Sequence, residues 1–411
     1  MTKRLVTPAL AREKLHGLIF LCLAAYSATC IISITLCEIF FVLALLLWAA
    51  DAFAGGRKLS GEFNTYLTLP LAVFAVIHII AAILGIDPAN SIRDSRKLYL
   101  ILMFFVAAKY LDSLEKIEKI VMFFAAGSLF IGAYAVCSSI SAAHAGNAAG
   151  FRAASFSGTP MHLGGMLTMS VVFLFTVIAG RIKKGKIKGY FTLFAFFALI
   201  LSVAGLMLTY TRSAWLASAV GIVIAAFFTD KKLFAAVLIV FALSVFALKD
   251  TSVGKRVADA VSNTTTNTAV ERILMWKSGL KIIRDNPVHG IGTANVGLVY
   301  PKYRDKKAFE PNQGHLHNNI IQVAAIDGIP GAAAILWMFV LSFFVQYRLF
   351  IKLKGDEKQY ILSILAVNVS FFINGLFEYN LFSSQVVLMY WFFMGISAAL
   401  YGKKEQKTVQ A

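Results

Sequence analysis

Long apolar runs, many of 18 residues or more, recur along nearly the whole chain. They lie at 16–34, 36–53, 67–86, 96–111, 118–140, 160–180, 189–209, 212–229, 232–249, 329–352, 359–378 and 382–402. The first two form one block, divided at 30–38. Runs of this length mark membrane-spanning helices, not the core of a soluble domain. Lipid cannot satisfy an open sheet edge, so helices are the form such runs take. A single polar stretch, 249–319, interrupts the pattern after the ninth run. The chain is therefore expected to be an all-α polytopic membrane protein with about twelve transmembrane helices. A large helical loop separates the ninth from the tenth, giving the divisions 1–248, 249–328 and 329–411. No small-residue cleavage site follows the first run, which is expected to be retained.

The chain has 411 residues, 59% hydrophobic and 15% charged, with a net charge of +18. In a soluble protein that charge would raise nucleic acid as a partner. Here its placement points elsewhere. With an even number of spans both termini share one side, and that side holds 23 of the 39 Lys and Arg residues, including Lys3, Arg4, Arg12, Lys14 and those of 181–188, 348–358 and 403–407. The short loops opposite hold five: Arg93, Arg96, Lys97, Arg152 and Arg212. Such asymmetry makes both termini cytoplasmic. The loop at 249–319 carries the remaining 11 basic residues and is long enough to cross regardless of charge. It faces outward, into the periplasm of a Gram-negative cell. The basic residues orient the chain among membrane lipids, and no nucleic-acid partner is expected.

Cys22, Cys30, Cys37 and Cys137 all lie in or beside apolar runs, so neither a disulfide nor a cysteine metal site is available to the outer loop. After an irregular connector at 250–268, Thr268 and Glu271 have capping-box spacing for a helix that ends before Asn286-Pro287. Its apolar positions Ile273, Met275, Trp276, Leu280, Ile282 and Ile283 share a broad face, with Lys277, Lys281 and Arg284 on the other side. Arg272 falls within the apolar face. There it either snorkels to water or meets an anion. His289-Gly290-Ile291-Gly292 permits close backbone approach. The charged stretch 300–312 reads as solvated surface. A short helix at 318–327 is expected to lie on the membrane surface, ahead of Gly328-Ile329-Pro330-Gly331.

His315 and His317 have a metal-ligand spacing, but two histidines make an incomplete set. A histidine is also suited to taking a proton from a sugar hydroxyl, or to capping the helix that follows. Outside the loop, Thr209-Tyr210-Thr211-Arg212 joins two apolar runs with almost no turn. A boundary arginine such as Arg212 is a functional candidate, while Tyr210 and Trp215 also suit an interfacial belt. Arg152 is a second outward arginine. His78, His144 and His162 are expected to be structural. No Gly-rich phosphate loop and no Asp-x-Asp pair appears. Arginines without a nucleotide motif suit a lipid-linked diphosphate, whose oxygens match a guanidinium fork.

Three motifs together resemble the O-antigen ligase and polymerase superfamily of bacterial membrane glycosyltransferases. They are Thr211-Arg212-Ser213-Ala214-Trp215-Leu216; Arg272-x-x-x-Trp276 leading to Asn286-Pro287-x-x-Gly290-x-Gly292; and His317-Asn318 followed by Asp327-Gly328-x-Pro330-Gly331. The family usually has Glu where this chain has Asp327. The resemblance implies an inverting, metal-independent transfer from an undecaprenyl-diphosphate-linked glycan, with no cofactor. Arg212 and Arg272 would hold the diphosphate, and His317 would position or deprotonate the acceptor hydroxyl. His315, Asn318, Arg284, Arg152, Tyr210 and Trp276 are the expected substrate-binding residues. A ligase would use lipid A–core as acceptor; a polymerase would extend another lipid-linked repeat. A polyprenyl-glycan transporter would also need a basic cavity, but not a folded outer helix pair ending in His317-Asn318.

Overall fold

The computed structural model describes residues 8–56, 61, 63–147, 150–156, 158–251, 254 and 267–409. Its helices run in the order α1 (Pro8–Thr29), α2 (Ile34–Ala54), α3 (Thr68–Leu84), α4 (Pro88–Ser95), a 3-10 turn (Arg96–Ile101), α5 (Leu102–Tyr110), α6 (Leu114–His144), α7 (Pro160–Lys183), α8 (Tyr190–Leu208), α9 (Arg212–Thr229), α10 (Lys231–Leu248), α11 (Asn267–Asp285), α12 (Val296–Tyr303), α13 (Asn319–Lys352), α14 (Gly355–Gly375) and α15 (Ser384–Val409). No strand occurs among the described residues.

Every predicted apolar run is largely helical. Seven of the described helices are both long and apolar enough to cross a membrane: α2, α6, α7, α8, α9, α13 and α15. α3 is apolar but has only 17 residues. The run expected at 96–111 is divided between a 3-10 turn and the short α5. The protein is a multi-pass membrane protein built on an all-helical bundle. Its centre is α7, which is almost wholly buried against α8, α9 and α14.

The polar stretch is more structured than its sequence promised. α11 spans the predicted helix, and α12 overlaps only the start of the charged segment 300–312, most of which is exposed as expected. Most of the expected 250–268 connector lies outside the described residues, as does the side chain of Thr268. The expected capping box between Thr268 and Glu271 therefore lies outside the described residues. The Glu271 carboxylate accepts the backbone N–H groups of Phe309 (2.8 Å) and Glu310 (3.2 Å), fastening the far end of the loop onto α11. The buried face of α11 runs through Glu271, Leu274, Met275, Ser278 and Ile282, whereas Ile273 and Leu280 are exposed. Apolar periodicity marks a stripe, but beside a membrane it cannot separate protein-facing from lipid-facing positions.

The segment 319–327 is also buried, not laid on a membrane surface. It continues into the next span through a break at Gly328 (φ 72°, ψ 179°). The break and Pro330, which has no N–H, leave the carbonyls of Ala325 and Ile326 without their helical donors. The Gly290-Ile291-Gly292 turn supplies replacements: Ile291 N–H donates to Ala325 O and Gly292 N–H to Ile326 O, both at 2.9 Å. In return, Ile329 N–H donates to Pro287 O at 2.8 Å. The two glycine motifs are thus halves of one joint. The expected boundary between loop and tenth span falls at this joint, where the backbone is spliced to the loop.

Candidate functional site

His317 sits where two anchored neighbours leave it little freedom. Leu316 is fully buried, and its N–H donates to Gln322 Oε1 at 2.8 Å. Asn318 caps α13, its Oδ1 accepting from Ile320 N–H (2.9 Å) and Ile321 N–H (3.0 Å). Asn318 Nδ2 then donates to Leu376 O at 2.8 Å, tying this turn to the link between α14 and α15. Between these anchors His317 adopts φ 48°, a left-handed conformation rare for a non-glycine residue. Strain of this kind concentrates at functional positions.

The α14–α15 link is itself pinned. Asn319 Oδ1 accepts from Asn380 N–H at 2.8 Å and Leu381 N–H at 3.3 Å. Held this way, the link presents Glu378, which is nearly buried, to two partners. Glu378 Oε2 lies 3.0 Å from His317 Nδ1, and Glu378 Oε1 accepts from the Arg272 guanidinium. Arg272 therefore meets an anion, as one of its two sequence readings required, and that anion is a carboxylate of the chain. The three residues come from α11, the turn before α13, and the link after α14. Sequence reading missed Glu378. The available signal was a lone carboxylate in Leu376-Phe377-Glu378-Tyr379-Asn380, between two apolar runs.

The ring of His315 lies 4.1 Å from that of His317 and also packs near Tyr379. Burial, reinforced by neighbouring His317, pushes the pKa of His315 down to about 4, so it is neutral at ordinary pH. His315 faces a cavity of about 560 Å³ whose wall also includes Asp94, Lys97, His162, Thr293 and Gln385. His315 and His162 line it, whereas Arg272 and His317, which meet at Glu378, are not among its lining residues. His162 has a second duty: with Thr159 it forms a capping box at the start of α7.

Arg212 opens α9, just after a turn in which Tyr210 takes φ 50° to reverse the chain. Arg152 braces that turn. Its Nε donates to Thr209 O at 2.9 Å and its Nη2 to Thr211 Oγ1 at 3.1 Å. A cation at the negative end of α8 is well placed, and the contacts make Arg152 a support for the turn. Tyr210 packs near Trp215, whose indole N–H donates to Leu206 O at 3.0 Å. Thr211 Oγ1 also lies 3.2 Å from Pro160 O, two residues before His162. The Arg212 turn is thereby connected to the helix that carries His162 to the cavity.

Arg284 lies apart from the cluster. Its side chain is 76% exposed and pairs with Asp285 at 3.1 Å, against 22% for Arg272. This follows from its place on the polar face of α11. Asn318 has both ends of its amide engaged by backbone groups, so it positions the turn instead of offering a free contact. The ring of Trp276 packs against Phe377 of the pinned link. His78 and Asp327 form a fully buried pair, with His78 Nδ1 2.9 Å from Asp327 Oδ2 and the His78 ring stacked on Phe382. The expected structural role of His78 thus includes holding the carboxylate next to the Gly328 break.

Residues 196–336 match the family model described as O-antigen ligase. No curated protein matches the chain. The matched segment holds Arg212, Arg272 and His317 and ends before Glu378. Over this segment the chain is similar to the O-antigen ligase family.

Proposed function

We propose that this protein is a glycosyltransferase that moves an O-antigen glycan from undecaprenyl diphosphate onto lipid A–core at the periplasmic face of the bacterial inner membrane. The observation that carries this reading is the Arg272–Glu378–His317 cluster beside a polar cavity in a membrane bundle. In the reaction, His317 takes the proton of the acceptor hydroxyl as its oxygen attacks the anomeric carbon. The bond from that carbon to the diphosphate oxygen breaks, and undecaprenyl diphosphate leaves with inversion. Arg212 and Arg272 stabilise the charge that develops on the leaving diphosphate. Arg212 adds its charge at the positive end of α9, which favours an anion. Neutral His315, on the cavity wall, orients the acceptor sugar by hydrogen bonding.

The test is purified protein in nanodiscs, supplied with undecaprenyl-diphosphate glycan, lipid A–core and EDTA. Both acceptor glycosylation and donor lengthening are followed. Glycosylated lipid A–core that disappears in His317→Ala supports a metal-independent ligase. Lengthened donor without acceptor use identifies a polymerase with the same site. No reaction of either kind by folded protein with intact donor overturns the transferase reading and favours a polyprenyl-glycan transporter.

A further inference from the structure

Glu378 faces two donors of different kinds with one carboxylate. Oε1 is occupied by the Arg272 guanidinium, and Oε2 is 3.0 Å from His317 Nδ1. The group is 4% exposed, so water does little to offset an unfavourable pairing. A carboxylate can only accept, and a guanidinium can only donate. His317 Nδ1 must therefore carry a proton to satisfy Oε2. In neutral imidazole the proton on Nδ1 leaves Nε2 with a free lone pair. No hydrogen bond occupies Nε2 among the described residues, and His317 keeps 13% of its side chain exposed.

We infer that Glu378 is a positioning residue that selects the His317 tautomer with a basic Nε2 and holds the ring toward the acceptor. The inference rests on the reading of His317 as the base. It assigns a role to a residue outside the family-matched segment. Three surrounding contacts keep the geometry fixed: Asn318 Nδ2 on Leu376 O, Asn319 Oδ1 on Asn380 N–H, and the left-handed backbone at His317. A carboxylate serving only to neutralise Arg272 would not need its second oxygen held at hydrogen-bond distance from the ring.

Substitution by glutamine distinguishes this role from simple packing. Glu378→Gln preserves size but offers one oxygen and one NH2. Arg272 can use only the oxygen, which leaves the NH2 facing His317 Nδ1. Nδ1 must then accept, the ring proton moves to Nε2, and the base is lost. Glu378→Ala imposes no tautomer and leaves part of the population competent. Glu378→Asp retains two acceptors. The glutamine variant, conservative in shape, is thus expected to be the most damaged of the three. Its kcat should fall about 100-fold or more, in the range by which general bases accelerate proton transfer. The donor KM should change less than kcat.

The experiment combines these kinetics with ¹⁵N NMR of histidine-labelled full-length protein in nanodiscs, with the His317 signals assigned by comparison with His317→Gln. The expected result is a protonated Nδ1 and bare Nε2 in the wild type, exchanged in Glu378→Gln, with the kcat order Asp, then Ala, then Gln. A wild-type His317 protonated at Nε2 overturns the inference, as does a Gln variant that outperforms Ala. Should the Gln variant fail to fold, the wild-type tautomer and the Asp-versus-Ala comparison decide. The tautomer is read without turnover, so loss of the transferase reading alone leaves this result intact and separately visible.

Discussion

Gly290 and Gly328 each leave room for the backbone of the other's segment. A Cβ on Gly290 would lie 2.4 Å from the Ile326 carbonyl carbon, and one on Gly328 would lie 2.3 Å from Val288 O. Both take left-handed backbone angles, at φ 65° and φ 72°. Gly328→Ala or Gly290→Ala should therefore cost about 1–3 kcal/mol from backbone conformation, with the steric clash in addition. Thermal unfolding in detergent should show a clear fall in midpoint for each. An unchanged midpoint would mean that the joint does not hold the loop to α13.

Arg272 and Glu378 should fail differently alone and together. Arg272→Ala strands a nearly buried carboxylate and is expected to destabilise the protein by about 3–5 kcal/mol. Adding Glu378→Ala removes that stranded charge, so the double variant should regain much of the stability and none of the activity. A double-mutant cycle on unfolding midpoints and glycan transfer checks both. Simple addition of the two stability losses would contradict the pairing.

Asn318 separates a helix cap from a tie. Asn318→Asp keeps the oxygen that caps α13 but loses the donor to Leu376 O. Stability should remain within about 1 kcal/mol of wild type, the usual scale of a cap, while activity falls at least tenfold as Glu378 loses its register with His317. Asn318→Ala loses both contacts and should lower both readouts. Equal activity of Asn318→Asp and wild type would show that the tie to Leu376 is dispensable.

His315 makes the fold sensitive to mild acid. Its folded-state pKa of about 4 lies below the ordinary 6.5, so the unfolded chain binds the proton more readily. The contribution of neutral His315 is fully present above about 6.5 and is lost as pH falls toward 4. His315→Gln should flatten this part of the stability–pH curve relative to wild type, as read by unfolding midpoints between pH 7.5 and pH 4.5. Parallel curves for the two proteins would remove His315 as the cause.

Arg284→Ala provides the contrast to Arg272. An exposed guanidinium paired with its sequence neighbour contributes little to stability. Glycan transfer by Arg284→Ala should stay within about twofold of wild type, since surface changes away from a site are small. A large loss would bring α11's polar face into the site.

Local chemistry made much of this legible in the sequence. The stop before Pro287, the paired glycines and the break ahead of Pro330 all use residues whose backbone properties are fixed by their own covalent structure. Helical spacing alone also separates Arg272 from Arg284. Glu378 was hidden for a different reason: its partners lie 106 and 61 residues away, and no periodicity links them. Ile273 and Leu280 were misplaced because an apolar residue can satisfy itself against either protein or lipid. The role of Arg152 required seeing which carbonyls the turn at 209–211 left open.

The late position of Glu378 also orders the birth of the site. Arg272 and His317 leave the ribosome first, and the carboxylate that joins them follows only with the link between α14 and α15. Until then Arg272 and His317 lack the carboxylate that joins them. The complete Arg272–Glu378–His317 cluster can therefore assemble only after nearly the whole polypeptide has been made.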